Sequence, residues 1–98
     1  MTITKTLNGN ELNIALEGRL DTVTAPELEE EIKASLDGVE SLILDFAALE
    51  YISSAGLRVL LSAQKAMNAK GTMKVLNVNE TIMEIFEVTG FSDILTVE

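Results

Sequence analysis

Two adjacent hydroxyls stand just ahead of a glycine in the run Ile52-Ser53-Ser54-Ala55-Gly56-Leu57. The run follows an apolar stretch and opens a helical pattern, so Ser53 and Ser54 stand where the unpaired backbone N–H groups of a first helical turn gather. Those groups and the helix dipole stabilise an oxygen acceptor or an added phosphate, and Gly56 permits close approach by another backbone. The same spacing also fits an ordinary N-cap, in which Ser53 or Ser54 accepts one backbone hydrogen bond worth about 0.5–2 kcal/mol. Spacing alone favours the cap. Position adds weight to a ligand site, because the turn lies at the carboxyl end of a central strand, where open α/β sheets place such sites.

Nucleophilic catalysis by Ser54 would need a base. The chain has no histidine, and its seven Lys and Arg residues and its carboxylates fall at no recognisable catalytic spacing. Ser53-Ser54-Ala55-Gly56-Leu57-Arg58 lacks the glycine spacing and the Lys-Ser/Thr ending of a phosphate-binding loop, and it does not match a dinucleotide glycine fingerprint. Asp21, Asp37 and Asp45 are too widely separated for a calcium loop, and there is no cysteine for a disulfide, redox pair or thiolate metal site. No cofactor is implied. Tyr51 and three Phe give little stacking surface, and a net charge of -9 opposes both nucleic acids and anionic membranes. No apolar stretch approaches a membrane span and no apolar signal core follows Met1, which together imply a cytoplasmic protein.

The elements that must position these serines follow from periodicity. Ninety-eight residues, 47% of them hydrophobic, suit one domain over residues 1–98 with one core. Thr2 to Leu7 and Glu11 to Glu17 alternate around Asn8-Gly9-Asn10 and predict a β-hairpin, with Leu12, Ile14 and Leu16 on the covered face. Thr24 and Glu27 have capping-box spacing, Pro26 lies in the first turn, and Leu28, Ile32 and Leu36 predict a helix ending near Asp37-Gly38. The Glu27-Glu29-Glu30-Glu31 cluster reads as its solvated face, with a contact surface for a basic partner as the alternative. Ser41 to Phe46 is a short apolar run suited to a central strand covered on both faces. A connection through Glu50 and Tyr51 leads to a second helix with a Leu57, Leu60, Leu61, Met67 stripe, stopped by Gly71. Met73 to Val78 predicts a strand, Glu80 to Thr89 a helix with Ile82, Ile85 and Phe86 inward and Gly90 as its cap, and Ile94 to Val97 an edge strand. The resulting order implies an α/β domain with a mixed sheet of four or five strands, helices mainly on one face, and Leu44, Leu57 and Leu60 buried. Ile14, Leu16, Ile32, Leu61 and Phe86 are expected to share that core.

The line Leu44-Asp45-Phe46, a five-residue connection and Ile52-Ser53-Ser54-Ala55-Gly56-Leu57 resembles the central signature of STAS domains, those of anti-sigma-factor antagonists and sulphate transporters. Gly18-Arg19-Leu20-Asp21 followed by Thr24-Ala25-Pro26-Glu27-Leu28 is similar to the family's first strand-to-helix junction, and Gly90-Phe91 with Leu95 resembles its ending. The likeness covers essentially the whole chain. It implies that Ser54, two residues before the helix glycine, is a phosphoacceptor. Ser53 departs from the family pattern, since many members carry an aspartate there. Asp21 matches an acidic loop residue beside the phosphoacceptor, and the resemblance extends the partner surface to Thr22, Ser53, Gly56 and Arg58.

The function implied is partner switching. The unphosphorylated chain would bind an anti-sigma factor that is also a serine kinase and so release a sigma factor; phosphorylation would end the contact, and a phosphoserine phosphatase would reset it. Two alternatives remain open. The chain could be a STAS interaction subunit of another assembly, in lipid transport or stress signalling, with Ser54 only a helix cap. It could also be a small serine hydrolase or nucleotide-binding enzyme, which the missing histidine disfavours.

Overall fold

The computed structural model describes residues 1–98 as a four-stranded sheet with three α-helices. The strands are β1 (Thr2–Asn8), β2 (Glu11–Leu20), β3 (Ser41–Ile52) and β4 (Thr72–Leu76), and they lie in sequence order across the sheet. β1 pairs antiparallel with β2 through the predicted hairpin, whose turn holds Gly9 at φ 59°. The pairings of β2 with β3 and of β3 with β4 are parallel, so the chain must cross over between them by helices. Those helices are α1 (Ala25–Ser35), between β2 and β3, and α2 (Ser54–Asn68), between β3 and β4. A third, α3 (Glu80–Thr89), follows β4 and ends at Gly90, the expected cap, which adopts the left-handed conformation.

One face of the sheet carries the core. Leu12, Ile14, Leu16 and Leu20 of β2, Leu42, Leu44 and Phe46 of β3, and Met73 and Val75 of β4 are buried against Leu28 and Ile32 of α1, Leu57 and Leu60 of α2, and Ile82 and Phe86 of α3. Leu44 and Leu60 are wholly inaccessible. The burial strictly alternates along the first half of β3, so Ser41, Ile43 and Asp45 on the reverse face are only half-buried and β3 is not covered on both sides as its composition suggested. A flanking strand on each side is enough to shelter Ile43 without a second layer.

Three further expectations are corrected. Leu61 is half-buried and lies outside the core, because Val59, Ala63 and Met67 take the inward positions of α2. Ile94 to Val97 forms no strand: a 3₁₀ turn at Phe91–Asp93 is followed by a single bridge from Val97 to Val75. β3 also runs six residues beyond Phe46, since register shifts in its pairing with β2 let the segment through Tyr51 continue to pair opposite Glu17 to Arg19. α2 does end three residues before Gly71, and that glycine matters for contact as well. A Cβ there would lie 1.9 Å from the Glu40 carbonyl oxygen, where the chain entering β4 crosses the start of β3.

Candidate functional site at the head of the second helix

β2 and β3 are parallel neighbours, so the loops that leave their carboxyl ends emerge at the same edge of the sheet. Leu20 stands opposite Ile52, and the Ser53 backbone N–H donates to the Leu20 carbonyl at 2.9 Å. Asp21 and Ser53 therefore follow directly from a joined pair of strand ends, and Ser54 opens α2 beside them. The topology thus gathers the predicted residues Asp21, Thr22, Ser53 and Ser54, which are separated by about thirty positions in sequence.

Ser53 occupies the N-cap position with extended backbone (φ -100°, ψ 177°), yet its side chain makes no capping bond. Its Oγ is buried with no hydrogen-bond partner at all. The ordinary-cap reading of Ser53 therefore fails here. Ser54, the first residue of the helix, is exposed, and so is Arg58 one turn further on. No acidic residue stands in the first turn of α2. Gly56 is buried, and its role is to seat the helix: a Cβ would come within 2.7 Å of both Leu20 Cγ and Ile52 Cγ1. Close approach at Gly56 is thus made by side chains of the core, where the sequence suggested another backbone.

The neighbouring loop is built around Asp21. Its Oδ1 accepts from the backbone N–H groups of Val23 (3.0 Å) and Thr24 (3.1 Å), while the Thr24 hydroxyl donates to the Arg19 carbonyl at 2.8 Å and accepts from the Asp21 N–H at 2.9 Å. The capping box expected of Thr24 and Glu27 does not form, because the Thr24 hydroxyl is spent bridging back to Arg19 and Asp21. The Thr24 N–H above all holds the Asp21 carboxyl below the usual carboxylate range; the Val23 N–H and Arg19 add to this against some desolvation. Asp21 is thus a fixed anion beside the entrance of α2. Thr22 is exposed on this loop.

Three residues of this edge escaped the sequence reading. Arg19 lies over the Tyr51 ring at 4.6 Å from its centroid and faces Asp21 with Nε 3.9 Å from Oδ2. Nothing in a linear reading pairs Arg19 with Tyr51, which meet only through the parallel register of β2 and β3. Val23 is 85% exposed at the tip of the loop. A bulky apolar residue between Asp21 and the start of a helix is the signal that could have marked it.

A STAS domain model matches residues 2–98. This chain belongs to the STAS family. Within the family, the BtrV protein of Bordetella bronchiseptica is 38% identical over 84 residues, which are 84% of this chain and 72% of the relative. An anti-sigma-B factor antagonist of Staphylococcus aureus is 31% identical over 86 residues, covering 86% of this chain and 80% of the relative. The fold of an anti-sigma factor antagonist from Mycobacterium paratuberculosis superposes with a TM-score of 0.88 at 24% identity, over 98% of this chain and 83% of that one. SpoIIAA, a Bacillus cell fate determinant solved in its phosphorylated form, superposes with a TM-score of 0.78 at 20% identity, over 99% of this chain and 91% of that one. The mixed sheet with helices on one face is the STAS fold, as the sequence resemblance implied. No helix of this STAS chain is long and apolar enough to cross a membrane.

Proposed function

We propose that this STAS chain is an anti-sigma-factor antagonist working as a phosphorylation-controlled partner switch. With Ser54 unmodified it binds an anti-sigma factor that carries serine-kinase activity, and the sigma factor is released. The kinase transfers the γ-phosphoryl group of ATP to Ser54 Oγ, and the contact ends. A phosphoserine phosphatase resets the switch. The chain itself performs no catalysis, and its work is done in the cytoplasm.

The observation that carries this reading is the exposed Ser54 hydroxyl at the uncapped, acid-free head of α2, with Asp21 held ionised on the adjoining loop. The relatives named as anti-sigma antagonists support the partner, and a related fold solved in a phosphorylated form supports the modification. Asp21, Thr22, Ser53, Ser54 and Arg58 form the docking surface in this reading, and Gly56 sets its height by seating the helix. Phosphorylation adds roughly -1.5 to -2 charge at neutral pH. A helix N-terminus favours that charge, so the fold is retained. An interface fitted to a neutral hydroxyl, by contrast, has to desolvate a dianion close to Asp21.

The test is incubation with the anti-sigma factor kinase and ATP, peptide mass spectrometry, and calorimetry on variants. Phosphate is expected on Ser54, and Ser53→Ala should remain a substrate. Ser54→Ala should bind the anti-sigma factor and accept no phosphate, while Ser54→Asp should fold and bind about 5- to 150-fold more weakly. Equal affinity for the parent and both Ser54 variants, or phosphate on Ser53, would overturn the switch in mechanism or in position.

A further inference from the structure

A phosphate on Ser54 meets this chain's own surface before it meets any partner. The chain has seven cationic side chains against 16 acidic ones, and most of the seven are already engaged. Lys5 pairs with Glu31, Lys33 with Glu29 and Lys74 with Glu98. Lys70 donates to the Leu36 carbonyl, and Arg19 is held between Tyr51 and Asp21. Arg58 and Lys65, both exposed and both on α2, are the two left without an anionic or carbonyl partner. In a chain of charge -9, a free guanidinium one turn from an exposed serine is a pairing left open.

We propose that Arg58 clasps the phosphate of phosphorylated Ser54 across one turn of α2, so that the modified chain carries a fixed, charge-paired dianion at the helix head. This rests on the reading of Ser54 as the phosphoacceptor. Residues four apart on a helix have Cβ atoms about 5–6 Å from each other, well within reach of a phosphate on one side and a guanidinium on the other. The anion stands N-terminal to the cation, the orientation that also agrees with the helix dipole. Arginine supplies a planar fork that matches two phosphate oxygens, which an ammonium cannot do. Arg19 is the weaker competitor, because taking the phosphate would cost it both Asp21 and the Tyr51 ring. Arg58 thus acts as a positioning residue: it decides where the added charge sits on the docking surface and is itself withdrawn from that surface when the charge arrives.

The experiment installs phosphoserine at position 54 by genetic encoding and follows its second ionisation, ordinarily near pH 6, by ³¹P NMR. Arg58→Gln should raise that pKa by about 0.2–0.7 unit at low ionic strength, the shift that corresponds to an exposed ion pair. The gap should close at about 1 M salt, where the screening length falls to about 3 Å. Arg58→Lys should restore part of it. Lys65→Gln removes an equally free cation that lies roughly 16 Å along the helix from Ser54, and it should leave the pKa unchanged. An unchanged titration in Arg58→Gln, or an equal shift in Lys65→Gln, would overturn the clasp. Both positions are exposed, so the variants should keep the parent's circular dichroism. Because the phosphoserine is installed without a kinase, a kinase that ignored Ser54 would sink the switch while this titration still decided the clasp.

Discussion

The heads of α2 and α3 begin from similar local signals and end in opposite states. At α3, Asn79 accepts the Ile82 N–H at 2.8 Å, donates to the Leu49 carbonyl at 3.0 Å, and is followed by Glu80 in the first turn. Side chain, backbone and charge together close that helix end. At α2 the residue in the same position, Ser53, turns its hydroxyl into a buried spot without a partner, and no carboxylate follows. The difference separates a helix end whose donors the chain satisfies itself from one it leaves uncapped. A capping residue in sequence marks where donors will gather, but not whether the protein satisfies them itself.

The comparison can be broken by substitution, most severely in the core beneath the two helices. Phe86→Ala, which empties a wholly inaccessible site under α3, should cost about 3–5 kcal/mol in denaturant unfolding. Gly56→Ala should cost about 1–3 kcal/mol, because its methyl group is forced against Leu20 and Ile52 as α2 seats. An unfolding midpoint for Gly56→Ala equal to the parent's would show that the head of α2 is free to shift. Next in size is the pair of cap variants. Asn79→Ala should lose about 0.5–2 kcal/mol, whereas Ser53→Ala should stay within about 0.5 kcal/mol of the parent, since it deletes an oxygen that bonds to nothing. Equal losses at Asn79 and Ser53 would erase the distinction between the two helix heads.

The smallest expected effect comes from acid. On the approach to α3, the Asn77 side-chain amide and then the Ala47 N–H hold the Asp45 carboxyl below its ordinary range, against some desolvation. A carboxylate with a folded pKa below the unfolded one, about 3.9, stabilises the fold above that pH, and the contribution fades as pH falls through the folded value. Protection factors for hydrogen exchange in the turn at Asn77, whose φ is 59°, should therefore fall on acidification below about pH 4 in the parent, once the intrinsic slowing of exchange by acid is divided out. Asp45→Asn should exchange faster than the parent near neutrality and respond less to acid. An identical acid response in Asp45→Asn would remove Asp45 from the account of how α3 is held.

Much of this was legible in the residues. Alternation in β2 named Leu12, Ile14 and Leu16, the helical period named Leu28, Ile32, Leu57 and Leu60, and all are in the core, because burial repeats with the geometry of the element. Leu61 was misplaced for a reason of the same kind: an apolar residue at the border of a helical stripe satisfies the period and still points off the core. Ile43 was misjudged because an apolar run cannot say whether a second layer exists.

By itself the sequence determined the order of elements as far as Gly90, the turn at Gly9, the stop at Gly90 and the position of Ser54 at the start of a helix, since each depends on neighbours within a few residues. The tertiary structure alone decided that Asp21 and Ser53 leave adjacent strand ends and that Arg19 stacks on Tyr51. It also left Arg58 and Lys65 as the unengaged cations. These facts arise from the parallel register of β2 and β3 and from competition among many acceptors for few donors, and neither is encoded at short range.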